Sequence, residues 1–177
     1  MAIHEPQSSL PLPRFESPVK VLIVVAPYYR GVADMLIEGA TTTLAAAGAS
    51  HEVVDVPGAL ELPPAIALAG RLADFDGFVA LGCVIRGETT HYETVCSESA
   101  RGLMDLGLGG AAIGNGILTV ENHEQALVRA DPAGEDKGGG AAAAALHHNA
   151  LRRRWAGNRR PVGFGGETPL AKGGDTV

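Results

Sequence analysis

Cysteine is scarce in this chain. There are two, Cys83 and Cys96, neither with a Cys-x-x-Cys partner and both in apolar-looking segments. A reduced, cytoplasmic protein is expected rather than a disulfide-stapled one. Excess positive charge is also missing: the formal net charge is −6 over 177 residues, which argues against a general nucleic-acid binder. No apolar run reaches the roughly 18 residues that a membrane span needs. The opening "MAIHEPQSSLPLPRFESP" lacks the apolar stretch of a secretory signal. No G-x-x-x-x-G-K-[ST] loop occurs, and no G-x-G-x-x-G follows the first apolar run, so neither common nucleotide fingerprint is present. His91 and Cys96 have no third ligand at useful spacing, so no metal site is expected.

What is there suits one folded domain. Apolar residues make up 46% of the chain, and its length fits one domain better than two. Pro6, Pro11, Pro13 and Pro18 suggest an extended N-terminal arm over residues 1–17. Residues 156–177 are Gly-rich and read as a flexible tail. Between them, over 18–155, two patterns alternate. "VKVLIVVA" (19–26) is a β-branched run suited to a strand buried on both faces. "GVADMLIEGATTTLAAAG" (31–48) has helical spacing and ends on Gly48, a plausible C′ residue. "HEVVDV" (51–56) is a second strand, and "ELPPAIALAGRLA" (61–73) a helix that tolerates Pro63 and Pro64 near its first turn. "GFVALGCVI" (77–85) is a strand, "HYETVCSESARGLMDLG" (91–107) a helix, and "AAIGNGILTV" (111–120) a strand. "HEQALVRA" (123–130) is a short helix opened by the Asn122–Gln125 capping box, and a last helix runs within 137–155, expected from Gly140 onward. The pattern predicts a three-layer α/β sandwich with a four-stranded parallel sheet flanked by helices.

Such sheets bind ligands beyond the carboxyl ends of their strands. Attention therefore falls on "PYYR" (27–30), "PGALE" (57–61), "RGETTH" (86–91) and the segment after Ile117. In "RGETTHYE", Thr90 and Glu93 have capping-box spacing, so a helix is expected to begin at His91. Its first turn offers free N–H groups and the positive end of the dipole to an anion. Gly87 lets the backbone come close, Thr89 and Thr90 add hydroxyls, and Arg86 lies on the same loop. His91 stands at the rim, where it could exchange a proton with whatever carries the anion. The ordinary alternative is a capped helix start with a solvated histidine. Tyr28 or Tyr29 could stack on a planar heterocycle or simply pack. The turn before Glu61 could read the edge of such a ring, or be a plain strand-to-helix connection. Arg129 lies seven residues past Asn122, roughly 10 Å along its helix, so it should not easily reach its own chain's cradle. It would serve a neighbouring subunit's anion, or complement the dipole at its helix end.

Together these segments resemble the lumazine synthase (6,7-dimethyl-8-ribityllumazine synthase) family. The similarity runs from about Val19 to Leu151 and is carried by "ALGCVIRGETTHYETVC", "VPGALELP", "GNGILTVENHEQALVRA" and "DKGGGAAAAAL", in family order and near-family spacing. The resemblance implies a flavodoxin-like fold and a transferase of riboflavin biosynthesis. It would join 5-amino-6-(D-ribitylamino)uracil to 3,4-dihydroxy-2-butanone 4-phosphate, with loss of phosphate and water and no cofactor. It implies His91 as the proton-transfer residue. Tyr28, Ala59, Leu60, Glu61, Cys83, Val84, Ile85 and Asn115 would surround the ribitylaminouracil. Glu88, Thr89, Arg129 and Lys137 would hold the phosphate, with Asn115 and Arg129 given by the neighbouring subunit. Partners would be the small-molecule substrates and other copies of the chain, in a homopentamer, a decamer or a 60-subunit capsid, with no nucleic acid and no membrane. The first loop departs from the family's usual Arg-Phe-Asn, reading Pro27-Tyr28-Tyr29, and Arg30 is the candidate to take over the missing charge. Asn115 stands where a phenylalanine is frequent. A flavin-binding protein or a structural shell protein on the same scaffold are the rival readings. "RRRW" (152–155) with Arg159 and Arg160 would face a cargo in the latter, or be a solvated basic helix end.

Overall fold

A computed structural model describes residues 10–157. Its elements are β1 (Lys20–Ala26), α1 (Arg30–Ala46), β2 (Ser50–Asp55), a 3₁₀ turn (Ala59–Glu61), α2 (Leu62–Leu72), β3 (Gly77–Ile85), α3 (His91–Leu108), β4 (Ile113–Val120), α4 (His123–Ala130) and α5 (Lys137–Gly157). All strand pairs are parallel, in the order β2-β1-β3-β4. This is the flavodoxin-like α/β sandwich. Arg159, Arg160 and most of the expected tail and arm lie outside the described residues. Residues 10–19 carry no helix or strand, and Leu12 and Phe15 pack against the core.

The period of two in a strand divides the core. Val21, Ile23 and Val25 face one layer, with Leu36 and Leu44 of α1, Ala126 and Ala130 of α4 and Leu146 of α5. Leu22, Val24 and Ala26 face the other, with Leu62 and Ile66 of α2 and Leu103 of α3. Each fully buried leucine contributes about 2 kcal/mol of apolar transfer. β2 is different. It is an edge strand with all six residues exposed, Val53 and Val54 among them.

Two glycine positions fix the layer that holds α1 and α5. Gly48 takes φ 71° and closes α1 in a Schellman turn: its N–H donates to Ala45 O at 3.0 Å, and the Ala49 N–H to Leu44 O at 2.9 Å. Gly138 lies so close to α1 that a Cβ there would run into the Leu36 carbonyl. That approach explains why α5 begins at Lys137 rather than at Gly140. Glycine is a poor helix former, but here its missing side chain permits the packing. The Asp136 carboxylate also accepts from Gly139 N at 2.9 Å, satisfying a first-turn donor.

The basic helix end is not simply solvated. Asp76, just before β3, accepts from Lys20 N at 2.9 Å and from Arg153 Nη2 at 3.0 Å. Its carbonyl accepts from Asn149 Nδ2 at 2.6 Å and Arg152 Nη2 at 2.7 Å. Arg153 also donates to the Ser17 and Pro18 carbonyls, at 3.1 and 2.8 Å, and stacks over Phe15. Arg153 thus ties α5 to the segments entering β1 and β3, and Arg152 ties it to the latter. Burial raises the Asp76 carboxyl, but the Lys20 N–H and the Arg153 guanidinium outweigh it and hold the group below its usual range. A depressed carboxyl stabilises the fold above its unfolded-state value, and that contribution fades as pH falls through the folded one. Asp76→Asn should cost about 1–3 kcal/mol at neutral pH. In thermal melts across pH, the gap between variant and parent should narrow below about pH 4. A gap that widens toward acid would refute this account.

Candidate active site

A cleft of about 460 Å³ opens at the carboxyl ends of β1 and β3. Because the strands are parallel and β1 and β3 are neighbours, their following loops leave together and a crevice remains between them. Tyr28 and Tyr29 form one wall, Pro57 to Glu61 another, and Cys83, Val84 and Ile85 the floor. Gly87, Thr89, His91, Tyr92 and Val95 close it from the α3 side.

The two tyrosines have different settings. Tyr29 packs against the core and lies edge-on to His123, with ring centroids 6.3 Å apart. Burial, and secondarily the Tyr28 phenol beside it, push the Tyr29 hydroxyl up. Tyr28 meets Tyr29 edge-to-face at 5.0 Å and is 76% exposed, so its ring is open to a ligand. Arg30 does not stand in the cleft: it pairs with Asp55 at 3.1 Å and Asp34 at 3.9 Å, which neutralise the charge expected to replace a family arginine.

The loop before α3 departs from its sequence reading. Thr90 makes no side-chain cap bond. Thr89 accepts instead, weakly, from His91 N at 3.4 Å. Glu93, the expected partner in the box, is taken by the Arg86 guanidinium. Arg86 also donates from Nε to Glu121 Oε2 at 2.7 Å and stacks 4.1 Å over the Tyr92 ring. A charge-assisted bond to arginine outcompetes a neutral backbone cap. The bond from Arg86 holds the Glu93 carboxyl below its usual range. The cap of α4 does form, with its return bond displaced by one residue: Asn122 Oδ1 accepts from Gln125 N at 2.9 Å, and Gln125 Oε1 from Glu121 N, just before the cap, at 2.9 Å.

The structure brings Tyr28, Ala59, Leu60, Glu61, Cys83, Val84, Ile85, Thr89 and His91 into one cleft. Glu88 is exposed on the same loop without lining it, and Asn115, Arg129 and Lys137 do not line it either. Asn115 is exposed on β4, its side chain accepting from Ile117 N at 2.9 Å. Arg129 donates to Gln125 O at 3.1 Å and makes no salt bridge among the described residues. Lys137 pairs with Glu135 at 3.3 Å. Sequence reasoning placed Tyr92 and Val95 in the helix over 91–107 and gave them no role, yet both line the cleft. Their place beside His91, Tyr92 next in the chain and Val95 one helical turn on, was the available signal. Among the described residues no three His, Cys, Asp or Glu side chains gather as a metal set.

A sequence model described as 6,7-dimethyl-8-ribityllumazine synthase matches residues 18–153. The chain belongs to this family. A Novosphingobium aromaticivorans protein named 6,7-dimethyl-8-ribityllumazine synthase is 61% identical over 137 residues, covering 77% of this chain and 99% of that one. A Jannaschia sp. protein of the same name is 51% identical over 164 residues, 93% of this chain and 92% of its own. Rhizobium meliloti has a protein named 6,7-dimethyl-8-ribityllumazine synthase 1, 56% identical over 127 residues, 68% of this chain and 83% of its own. The lumazine synthase match spans every element that builds the cleft. It begins at Pro18 and ends at Arg153, the two residues that meet beside Asp76.

The floor of this lumazine synthase cleft is chemically quiet. Burial pushes the Cys83 thiol up to about 11, so at pH 8 only about 0.1% is thiolate. Iodoacetamide at that pH should modify the less buried Cys96 before Cys83, as read by peptide mass spectrometry. Rapid labelling of Cys83 would contradict the burial described.

Proposed function

We propose that the chain condenses 5-amino-6-(D-ribitylamino)uracil with 3,4-dihydroxy-2-butanone 4-phosphate to form 6,7-dimethyl-8-ribityllumazine, releasing phosphate and water, as a transferase of riboflavin biosynthesis. The observation that carries this reading, beside family membership, is the meeting of Tyr28, the Ala59–Glu61 turn and the His91 helix start in one cleft. In this reading the pyrimidine stacks on the open ring of Tyr28, and the backbone of Cys83–Ile85 runs along its edge. The ribityl chain follows Ala59, Leu60 and Glu61. The phosphate rests at the turn of Glu88 and Thr89, before the positive end of the α3 dipole.

Joining the amine to the ketone, expelling phosphate and closing the ring each move a proton. His91, exposed at the rim between the ring site and the phosphate turn, is the group in reach of both. The sequence of bond changes is neither an oxidation nor a reduction overall, so the mechanism calls on no redox cofactor. Holding two substrates face to face contributes as much as the histidine or more.

That Asn115, Arg129 and Lys137 do not line their own chain's cleft supports a site completed by the next subunit. Arg129 would reach that neighbour's phosphate, in a homopentamer or in a decamer or 60-subunit capsid built from it. The apolar surface left open on a single chain, including Leu72 at 80% and Leu108 at 80% exposure, supports association of copies. Two unpaired thiols and no helix, among the described residues, long and apolar enough to cross a membrane suit a cytoplasmic setting.

Lumazine formation and phosphate release, followed together with the spontaneous reaction subtracted, test the activity. Stoichiometric release above background is expected, and a folded protein with no such rate would overturn the reading. His91→Ala should lower kcat about 10²–10⁴-fold without abolishing turnover; wild-type turnover at saturating substrate would remove His91 from its role. Arg129→Ala should mainly raise the KM for the phosphate substrate. If sites are shared head to tail around a ring, reassembling equal amounts of the His91→Ala and Arg129→Ala chains should restore about a quarter of parental activity by random assortment, when assayed with the phosphate substrate well below the KM of the Arg129→Ala chain. No gain on mixing would place both residues in one chain's site.

A further inference from the structure

We propose that Arg86 is a positioning residue of this reaction, fixing both ends of the 87–91 loop while its own charge stays away from the phosphate. The inference rests on the reading of that loop as the phosphate cradle. Arg86 directly follows β3, and its N–H donates to Val120 O at 3.0 Å, which anchors the start of the loop to the end of β4. Its guanidinium then crosses to the far end. It bonds Glu93 and lies 4.1 Å over the ring of Tyr92, the two residues immediately after His91. A third contact, to Glu121 Oε2 at 2.7 Å, ties the assembly to the residue before the α4 cap. Support from within the loop is slight: the contact from His91 N to the Thr89 hydroxyl is 3.4 Å long. The loop from Gly87 to His91 is therefore held mainly at its two ends by one residue, through the Arg86 backbone N–H at the start and its guanidinium at the far end.

Charge decides what Arg86 contributes. It faces two carboxylates, so the cluster carries a net negative charge rather than a free positive one. A planar fork that satisfies both acids and stacks on an aromatic uses the features that distinguish arginine from lysine. Arg86 thus supplies shape, and the charge for the phosphate has to come from elsewhere; Arg129 of a neighbour, which makes no salt bridge among the described residues, would provide it.

Glu121 gives the discriminating test, because it touches Arg86 and does not line the cleft. In steady-state kinetics with both substrates, Glu121→Gln and Arg86→Gln should each raise the KM for the phosphate substrate about tenfold. The KM for the amine substrate should stay within about twofold, and the double variant should be no worse than the Arg86 single. Arg86→Lys should remain impaired, since one ammonium cannot bridge both acids and stack. If Arg86 instead held the phosphate directly, Glu121→Gln would free its charge and lower that KM, which would overturn the proposal. Full rescue by Arg86→Lys would overturn it too, as would unchanged kinetic constants with only a lower melting temperature. A parent chain that makes no lumazine would overturn the reading of the loop itself, and this inference with it. An active parent with discordant variants overturns the inference alone.

Discussion

Parallel pairing of β1 with β3 is the constraint from which the rest follows. Two parallel neighbours cannot be joined by a tight turn, so each strand must be followed by a crossover that returns to the opposite edge. Every crossover is a helix here, and the helices have to cover both faces because the sheet is apolar on both. The loops that begin the crossovers leave from one edge. Since β1 connects outward to β2 and β3 outward to β4, the loops after β1 and β3 diverge, and the cleft is the space they leave. The chemistry-bearing residues therefore come from segments far apart in the chain yet need no special folding device to meet.

Much of this was legible in the residues. The strand over 77–85 and the helix over 123–130 have the bounds their patterns predict, because apolar periodicity and the Asn122–Gln125 box act locally. Where the reading failed, a distant partner had overruled a local preference. Lys137 to Gly139 read as loop on propensity, with the helix expected from Gly140, yet they are helix, and α1 passes so close that a Cβ at Gly138 would meet the Leu36 carbonyl and one at Gly139 the Thr43 hydroxyl. Thr90 and Glu93 read as a capping box, yet Arg86 claims the carboxylate. Arg152 and Arg153 read as a solvated basic end, yet Asp76, Ser17 and Pro18 occupy them. The same distinction runs through the site. Residues just past strand ends were findable from topology, whereas Tyr92 and Val95 depend on how α3 is rotated about its axis, which spacing alone does not give.

Electrostatics at the cleft follow a consistent pattern. The arginines that follow β1 and β3 are spent inside the chain: Arg86 on Glu93 and Glu121, and Arg30 on Asp55 and Asp34. An anion approaching one chain alone meets backbone dipoles and hydroxyls rather than a bare positive side chain. If the proposed sharing of sites between copies holds, full affinity comes only when another copy brings a cation, and ligand binding is coupled to association by mass action.

The Arg153 contacts to Ser17 and Pro18 carry a different consequence. The entry to β1 and the late turns of α5 lie side by side, beside Asp76 and at the end of the sheet opposite the cleft. A short linker between those two places would close the backbone into a ring with little strain. New termini could then be opened in a surface turn far from the cleft, such as Gly109–Gly110, so the order of the elements along the chain can be permuted without moving a wall of the site.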